Sequence, residues 1–449
     1  MVRYDQPSRA GRALGALLAG LVRPGEVYRE HTSFQTLGIM LDCSRNAVMT
    51  PEHFQRWLRQ LALLGYNMAM LYTENTYALP GEDYFGYRRG RYSAEELREI
   101  DRAAADLGIE MIGCIQTLGH LDQLLRWPEY HAVTDTSAVL LVGEKRTYAL
   151  IEKMIARFAR CYRSRRIHIG MDETFDLGRG RCQNLHGYRR GFDLFNEHLR
   201  RVTALCRRHG LEPMLWSDMY FRLGSKTRAY EDPHARIPPE VKRRIPKKAQ
   251  LVYWDYEDKD KARYLAMIRR HRALGKEPIM ASAVETYQTL WCAPAAGVLP
   301  CLEACREARL REVFLTVWGD DGAYCEFNSA LAGLAHAADA AYGQIPPERA
   351  RLGARFQAVC GADYEAVMTA ASMHDPDRLY VKLLWDDPLL RVAWTNEQLR
   401  FASVWKKLDA RFAAALRGLH PFRNTTEPID LAHAGSLLRF LRHKIRFHE

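Results

Sequence analysis

The sequence predicts an α/β protein, a (β/α)8 TIM barrel with a C-terminal all-helical appendage, and three observations predict it. Eight short apolar, β-rich runs alternate with longer segments of helical period between residue 35 and about residue 340, the pattern of repeated βα units in a parallel sheet. Nearly every run ends in polar or aromatic residues. Beyond about residue 345 only helical period remains.

The runs, in order, are QTLGIMLD from Gln35, YNMAMLYT from Tyr66, IEMIGCIQ from Ile109, RIHIGMD from Arg166, EPMLWSD from Glu212, QLVYWD from Gln250, EPIMASA from Glu277 and EVFLTVW from Glu312. The segments between them carry helix punctuation. Thr50, Pro51 and Glu52 cap and open a helix that ends at Gly65, and Ser93 with Glu96 forms a capping box before Leu97. Gly108, Gly210 and Gly275 stand where helices should end, each just before a strand. A doubly wound open sheet would carry a glycine-rich phosphate turn after its first strand, and LDCSRNAVMTP contains no glycine.

Three regions follow. Residues 1–34 read as an N-terminal helix or extension: the run ALGALLAGLV after Arg12 has signal-peptide length, yet Arg23, Pro24 and Gly25 follow it directly with no small-residue cleavage site. Gly15 and Gly20 with flanking arginines fit a short surface helix. Residues 35–344 form the (β/α)8 barrel. Residues 345–449 form the helical domain, with Pro346 and Pro347 at the seam and no chemistry legible in it.

Composition narrows the class. The 449 residues are 47% hydrophobic and 27% charged, which excludes disordered, collagen-like and coiled-coil proteins. The net charge of +11 comes as short scattered clusters without zinc-finger or RNA-binding signatures, so no nucleic-acid partner is expected. No run approaches the ~20 apolar residues needed to cross a bilayer. Ten cysteines without a CxxC pair read as buried, reduced thiols, so a cytoplasmic protein is expected.

In a barrel the strand ends converge on one mouth. Here they supply Asp42, Glu74, Gln116, Asp172 with Glu173, Trp216 with Asp218, Trp254 with Asp255, Glu285, and Trp318 with Asp320. The most informative string is IHIGMDETFDLG, Ile167 to Gly178. Consecutive strand residues face opposite ways, so the strand must stop or bulge if Asp172 and Glu173 are to share one pocket. Burial and mutual repulsion raise such carboxylates, which suits a protonated acid beside an ionised stabiliser, the division of labour in glycoside cleavage.

These strings resemble glycoside hydrolase family 20, the β-N-acetylhexosaminidases. HIGMDE is similar to that family's HIGxDE motif, GIMLDCSRN to its first strand, YSAEELREIDRAAADLGIEMIGCIQTLGHL to its second helix through third strand, and LTVWGDD to its eighth strand. Within the family the hexosaminidase D type, which lacks the N-terminal extra domain of the lysosomal enzymes, is the most similar. The resemblance implies an exo-acting retaining enzyme that releases terminal β-linked N-acetylglucosamine or N-acetylgalactosamine by substrate-assisted catalysis, with no cofactor or metal. It implies Glu173 as general acid and base, Asp172 as the group that orients the substrate's acetamide, and Glu74 and His120 as hydrogen-bonding tuners of the acid. Trp216, Trp254 and Trp318 become aromatic walls, and Asp320, with neighbouring Asp321 as fallback, holds the sugar 4- and 6-hydroxyls. Tyr256 and Tyr287 both qualify for the acetamide carbonyl, Tyr256 being assigned to catalysis and Tyr287 to substrate binding. Asp218 would bond a hydroxyl or orient its loop.

The chain departs from the family at Leu37, where an arginine that grips O3 and O4 is usual. Arg45 remains on the following loop, and the choice between gluco and galacto configuration stays open. Two other readings compete. A catalytically inactive N-acetylaminosugar-binding barrel would not need both carboxylates. A metal-dependent hydrolase using His168, Asp172 and His120 lacks suitable ligand count and spacing. The expected partner is a small oligosaccharide or glycoconjugate, and the helical tail and basic surface are compatible with a homodimer.

Overall fold

The computed structural model describes residues 2–448 except 46, 293–295, 321, 323, 376 and 402. Eight parallel strands close into a barrel in sequence order: β1 Thr36–Asp42, β2 Met68–Thr73, β3 Glu110–Ile115, β4 Arg166–His168, β5 Glu212–Trp216, β6 Gln250–Trp254, β7 Ile279–Ala283 and β8 Glu312–Val317. Closure is made by β1 against β8, with Thr36 paired to Glu312 and Leu41 to Val317. All eight predicted strands are present.

The helix signals act where they were read. Thr50 Oγ1 accepts from His53 N–H at 3.3 Å, and Ser93 and Glu96 form the reciprocal capping box. The chain leaves the preceding helices through Gly65, Gly108, Gly210 and Gly275, all with positive φ.

Alternation along each strand builds two cores. On β1, Leu37, Ile39 and Leu41 join the apolar layer between strands and helices, while Met40 points into the barrel with Met68, Met70, Ile112, Met214 and Phe314. The interior is tight at Gly38, where an added Cβ would lie 2.5 Å from Met68 Cε. Leu37 therefore belongs to the outer layer near the start of β1. Five residues before Asp42, it lies roughly 16 Å below the strand end at about 3.3 Å per residue.

The helix Pro7–Leu18 packs on the helices Pro51–Leu64 and Arg349–Cys360, and so joins the N-terminal segment and the start of the helical tail to the barrel's flank. The helix Ala330–Tyr342 is buried nearly all round because it lies between barrel helices and the helices that follow it. No described helix is long and apolar enough to cross a membrane. All ten cysteines are buried, and none is joined in a disulfide.

Candidate active site

The strand carrying the acid pair does stop. β4 ends at His168, after which Gly170, Met171 and Glu173 take φ of 68°, 78° and 48°. A Cβ on Gly170 would lie 1.9 Å from Gln116 Oε1, so glycine is required there. Left-handed backbone at Met171 and Glu173 is costly, and side chains from neighbouring strand ends hold it. Met171 N–H donates to Gln116 Oε1 at 3.2 Å, and Glu173 N–H donates to Asp218 Oδ2 at 3.1 Å. Released from strand alternation, Asp172 and Glu173 both line one cavity.

Their environments separate their proton affinities. Burial pushes Asp172 up, but His120 Nε2 at 3.1 Å and a 2.7 Å hydrogen bond from Gln116 Nε2 outweigh it and hold the carboxyl at about 2. The same contact raises His120 to about 9, against the effect of its own burial. Glu173 is raised, first by burial and then by the charge of Asp172, with His120, Arg222 and Arg45 opposing. Near neutral pH Asp172 is therefore ionised and His120 cationic, and Glu173 holds its proton more tightly than an ordinary glutamate.

The cavity of about 210 Å³ is lined by Arg45, His120, Asp172, Glu173, Trp216, Trp254, Tyr256, Tyr287, Trp318 and Asp320. Each comes from the sequence-predicted set, drawn from loops or strand ends around the barrel. Trp216, 1% exposed, stands 6.3 Å from Trp318 between ring centroids, and Trp318 meets Tyr72 edge-on at 4.8 Å. Trp254 stacks on Tyr256 at 5.2 Å, and Tyr287 has the Arg378 guanidinium 5.3 Å from its ring.

The rim is cationic at one point. Arg45 Nη1 lies 3.0 Å from Asp42, and Nη2 lies 3.7 Å from Glu74 and 3.5 Å from Asp320. Asp42 is itself fixed by Ser44 and by Gly319 N–H at 2.9 Å. Arg45, not residue 37, is thus the arginine at the mouth: position 37 is turned into the outer core, where an arginine could not reach the cavity.

Two placements differ from expectation. Glu74 does not touch Glu173; it lies behind Arg45, 3.9 Å from Arg89 and 3.4 Å from the Tyr72 hydroxyl, and burial lifts it to about 7. His120 alone of the two tuners approaches the acid, at 3.8 Å. Asp218 is fully buried, so it cannot meet a sugar hydroxyl; it takes the loop-orienting role, accepting Glu173 N–H and Arg222 Nε, each at 3.1 Å. Burial raises Asp218 to about 7. Asp320 stands at the rim, and Asp321 lies outside the described residues.

Sequence reading passed over Arg222, whose Nη2 donates to Glu173 Oε1 at 3.4 Å. Its available signal was the i,i+4 spacing from Asp218. It also read no chemistry into the helical tail, yet Arg378 faces Tyr287, and His374 Nε2 lies 3.4 Å from Glu285. His168 is buried; its Nδ1 accepts Gly170 N–H at 3.1 Å and burial depresses it to about 3, which makes it a structural, neutral ring. Among the described residues no group of three His, Cys, Asp or Glu side chains is arranged to hold a metal ion.

Comparison with known proteins places this geometry. Residues 34–271 match the model of the glycosyl hydrolase family 20 catalytic domain. Human hexosaminidase D is 25% identical over 235 residues, which are 49% of this chain and 45% of that protein. The chain thus matches less than half of that relative's length. A family 20 exo-β-N-acetylglucosaminidase from Vibrio harveyi, solved with N-acetylglucosamine, superposes with a TM-score of 0.57 at 15% identity, covering 78% of this chain and 62% of that one. A family 20 β-N-acetylhexosaminidase from Streptomyces coelicolor gives 0.52 at 18%, covering 74% and 70%. At such identities the structural likeness is one of fold. The family match spans more than half of the 449 residues and includes both carboxylates of the acid pair, and the chain belongs to glycosyl hydrolase family 20.

Proposed function

We propose that the protein is an exo-acting retaining β-N-acetylhexosaminidase that releases terminal β-linked N-acetylglucosamine or N-acetylgalactosamine by substrate-assisted catalysis. The observation that carries this reading is the placement of ionised Asp172 beside a Glu173 of raised proton affinity in a cavity walled by three indoles. About 210 Å³ is below the roughly 300–1,000 Å³ of sites that enclose drug-sized ligands, which supports one sugar ring and hence terminal cleavage.

In the first step the acetamide oxygen attacks the anomeric carbon, the bond to the leaving oxygen breaks, and that oxygen takes the Glu173 proton. The positive charge that develops on the acetamide, as it closes into an oxazolinium ring, lies against the Asp172 carboxylate. The attacking atom is already tethered to the sugar, so little entropy is spent in bringing it up. In the second step Glu173, now ionised, takes a proton from the water that reopens the ring, and the configuration is retained. Tyr256, stacked on Trp254, serves the acetamide carbonyl. The indoles enclose the acetamide methyl and the apolar sugar face, while Arg45 and Asp320 hold hydroxyls at the rim. The ten buried thiols support action in a reducing compartment, the cytoplasm.

The test is release of a chromophore from aryl β-N-acetylglucosaminide and galactosaminide, with chelator present. Release that survives chelator and is lost in Glu173→Gln is the expected result. Binding of N-acetylhexosamine without release by the wild-type protein would overturn the enzyme reading in favour of a sugar-binding barrel.

A further inference from the structure

Glu173 has two oxygens, and the reaction needs one of them to deliver a proton. We propose that Arg222 is a positioning residue that keeps the transferable proton on Glu173 Oε2, and that Asp218 holds it in place for this; the proposal rests on Glu173 being the general acid. Arg222 Nη2 lies 3.4 Å from Oε1, and a guanidinium has only donors, with no lone pair to receive a hydroxyl. A proton on Oε1 would face N–H with H, so Oε1 takes the acceptor role and the hydroxyl forms on Oε2. On that side His120 is 3.8 Å away and is committed to Asp172 at 3.1 Å. That distance is beyond hydrogen-bond reach, so the Oε2 hydroxyl is free to turn toward the leaving oxygen.

The lock is built from one carboxylate. Asp218 Oδ2 accepts both the Glu173 backbone N–H and Arg222 Nε, each at 3.1 Å. The same oxygen therefore sets where the acid leaves the backbone and where the guanidinium meets its side chain. Asp218 and Arg222 sit one turn apart on the helix Asp218–Gly224, and the guanidinium is flanked by the rings of Phe175 at 5.0 Å, Tyr230 at 5.7 Å and Trp254 at 5.8 Å. These surroundings leave it little freedom to swing away. Arg222 is not among the cavity-lining residues, so it acts through Glu173. After the first step it still holds Oε1, so the same Oε2 takes the proton from water in the second.

Two β-N-acetylglucosaminides separate this role from simple support of the fold: a dinitrophenyl glycoside, whose leaving group departs without a proton, and an alkyl glycoside, whose leaving group needs one. In Arg222→Gln, kcat/KM on the alkyl glycoside should fall by about tenfold or more, a fraction of the roughly 10²–10⁴ that a placed acid contributes, while the dinitrophenyl glycoside changes by less than about threefold. Arg222→Lys should restore part of the alkyl activity. The alkaline limb of the alkyl profile should move to higher pH in Arg222→Gln, because a cation favouring the carboxylate is gone. Equal losses on both glycosides, in the Gln and Lys variants alike and with unmoved pH limbs, would overturn the proposal while leaving the hexosaminidase reading intact. Wild-type protein inert to both glycosides would remove that reading, and this proposal with it.

Discussion

Two clusters of buried charge in this molecule solve the same problem in opposite ways. On the flank, Arg12 and Arg355, 2% and 1% exposed, face Glu30 and Asp339. Each arginine touches both carboxylates: Arg12 at 2.8 and 2.7 Å, Arg355 at 2.8 and 3.1 Å. Charges balance, and although burial pushes Glu30 up, the two arginines pull it below its usual range. At the mouth, Asp42, Glu74, Asp172, Glu173, Asp218 and Asp320 outnumber Arg45, Arg89, His120 and Arg222. There burial prevails, and Glu74 and Asp218 rise to about 7 with Glu173 raised beside them. A balanced cluster fixes charge for stability; an unbalanced one leaves protons available for chemistry.

The largest effect that could break this contrast lies on the flank. Arg355→Met leaves Glu30 and Asp339 with one cation in a dry site, a loss that costs about 3–5 kcal/mol in comparable buried pairs. A urea titration should show the drop, and turnover per folded molecule should stay at the wild-type value. At the mouth the order reverses. Asp172→Asn removes the charge that faces the acetamide, and kcat should fall on the order of 10²–10³-fold, as when one preorganised electrostatic group is lost. Its stability should fall by less than in Arg355→Met, because His120, left without its carboxylate, can release its proton. Equal stability losses in both variants would erase the distinction between the clusters.

Glu74 sharpens the contrast through pH. Its carboxyl binds a proton more tightly in the folded chain, at about 7, than at the ordinary 4.5. That contribution to stability is fully present below pH 4.5 and is lost as pH rises through about 7. Glu74→Gln keeps a neutral side chain at every pH. The variant should match the wild type near pH 4 and exceed it by up to about 3 kcal/mol above pH 8, as read from denaturation at both pH values. A variant less stable than wild type at pH 8 would mean that Arg45 needs the Glu74 charge to stay in place.

Much of this was legible in the sequence because it is local or topological. Strand period, helix caps and the glycines before strands are written within a few residues, and eight strands in order force their ends onto one mouth whatever the loops do. Six of the ten cavity-lining residues stand at strand ends and follow from that rule; Arg45, His120, Tyr256 and Tyr287 came from the family resemblance. What stayed hidden depends on non-local pairing. Nothing local marks Arg12 and Arg355 as buried, because Glu30 and Asp339 lie outside helical spacing of them, and only the packed helices bring the four together. Asp218 looked equally able to bond sugar or loop, since the left-handed turn at Glu173 that claims it is a three-dimensional event. That Leu37 packs in the outer layer was equally hidden, because a motif offset says nothing about which face of β1 a side chain takes.

The smallest effect concerns the helical tail, where sequence offered no chemistry. Arg378 reaches back over the Tyr287 ring at 5.3 Å, hydrogen-bonds Gln288 and lies 3.9 Å from Glu285. Tyr287 lines the cavity, so the cation braces a wall and touches neither Asp172 nor Glu173. Because such contacts are worth about 0.5–1 kcal/mol at partly exposed sites, Arg378→Ala should raise KM roughly twofold to fivefold. The wall serves ground state and transition state alike, so kcat should not change. A fall in kcat at constant KM would instead place the tail among the groups that act on the transition state. Arg378 lies 3.9 Å from Glu285, beyond hydrogen-bond reach, so its removal leaves that carboxylate its closer contact with His374 at 3.4 Å.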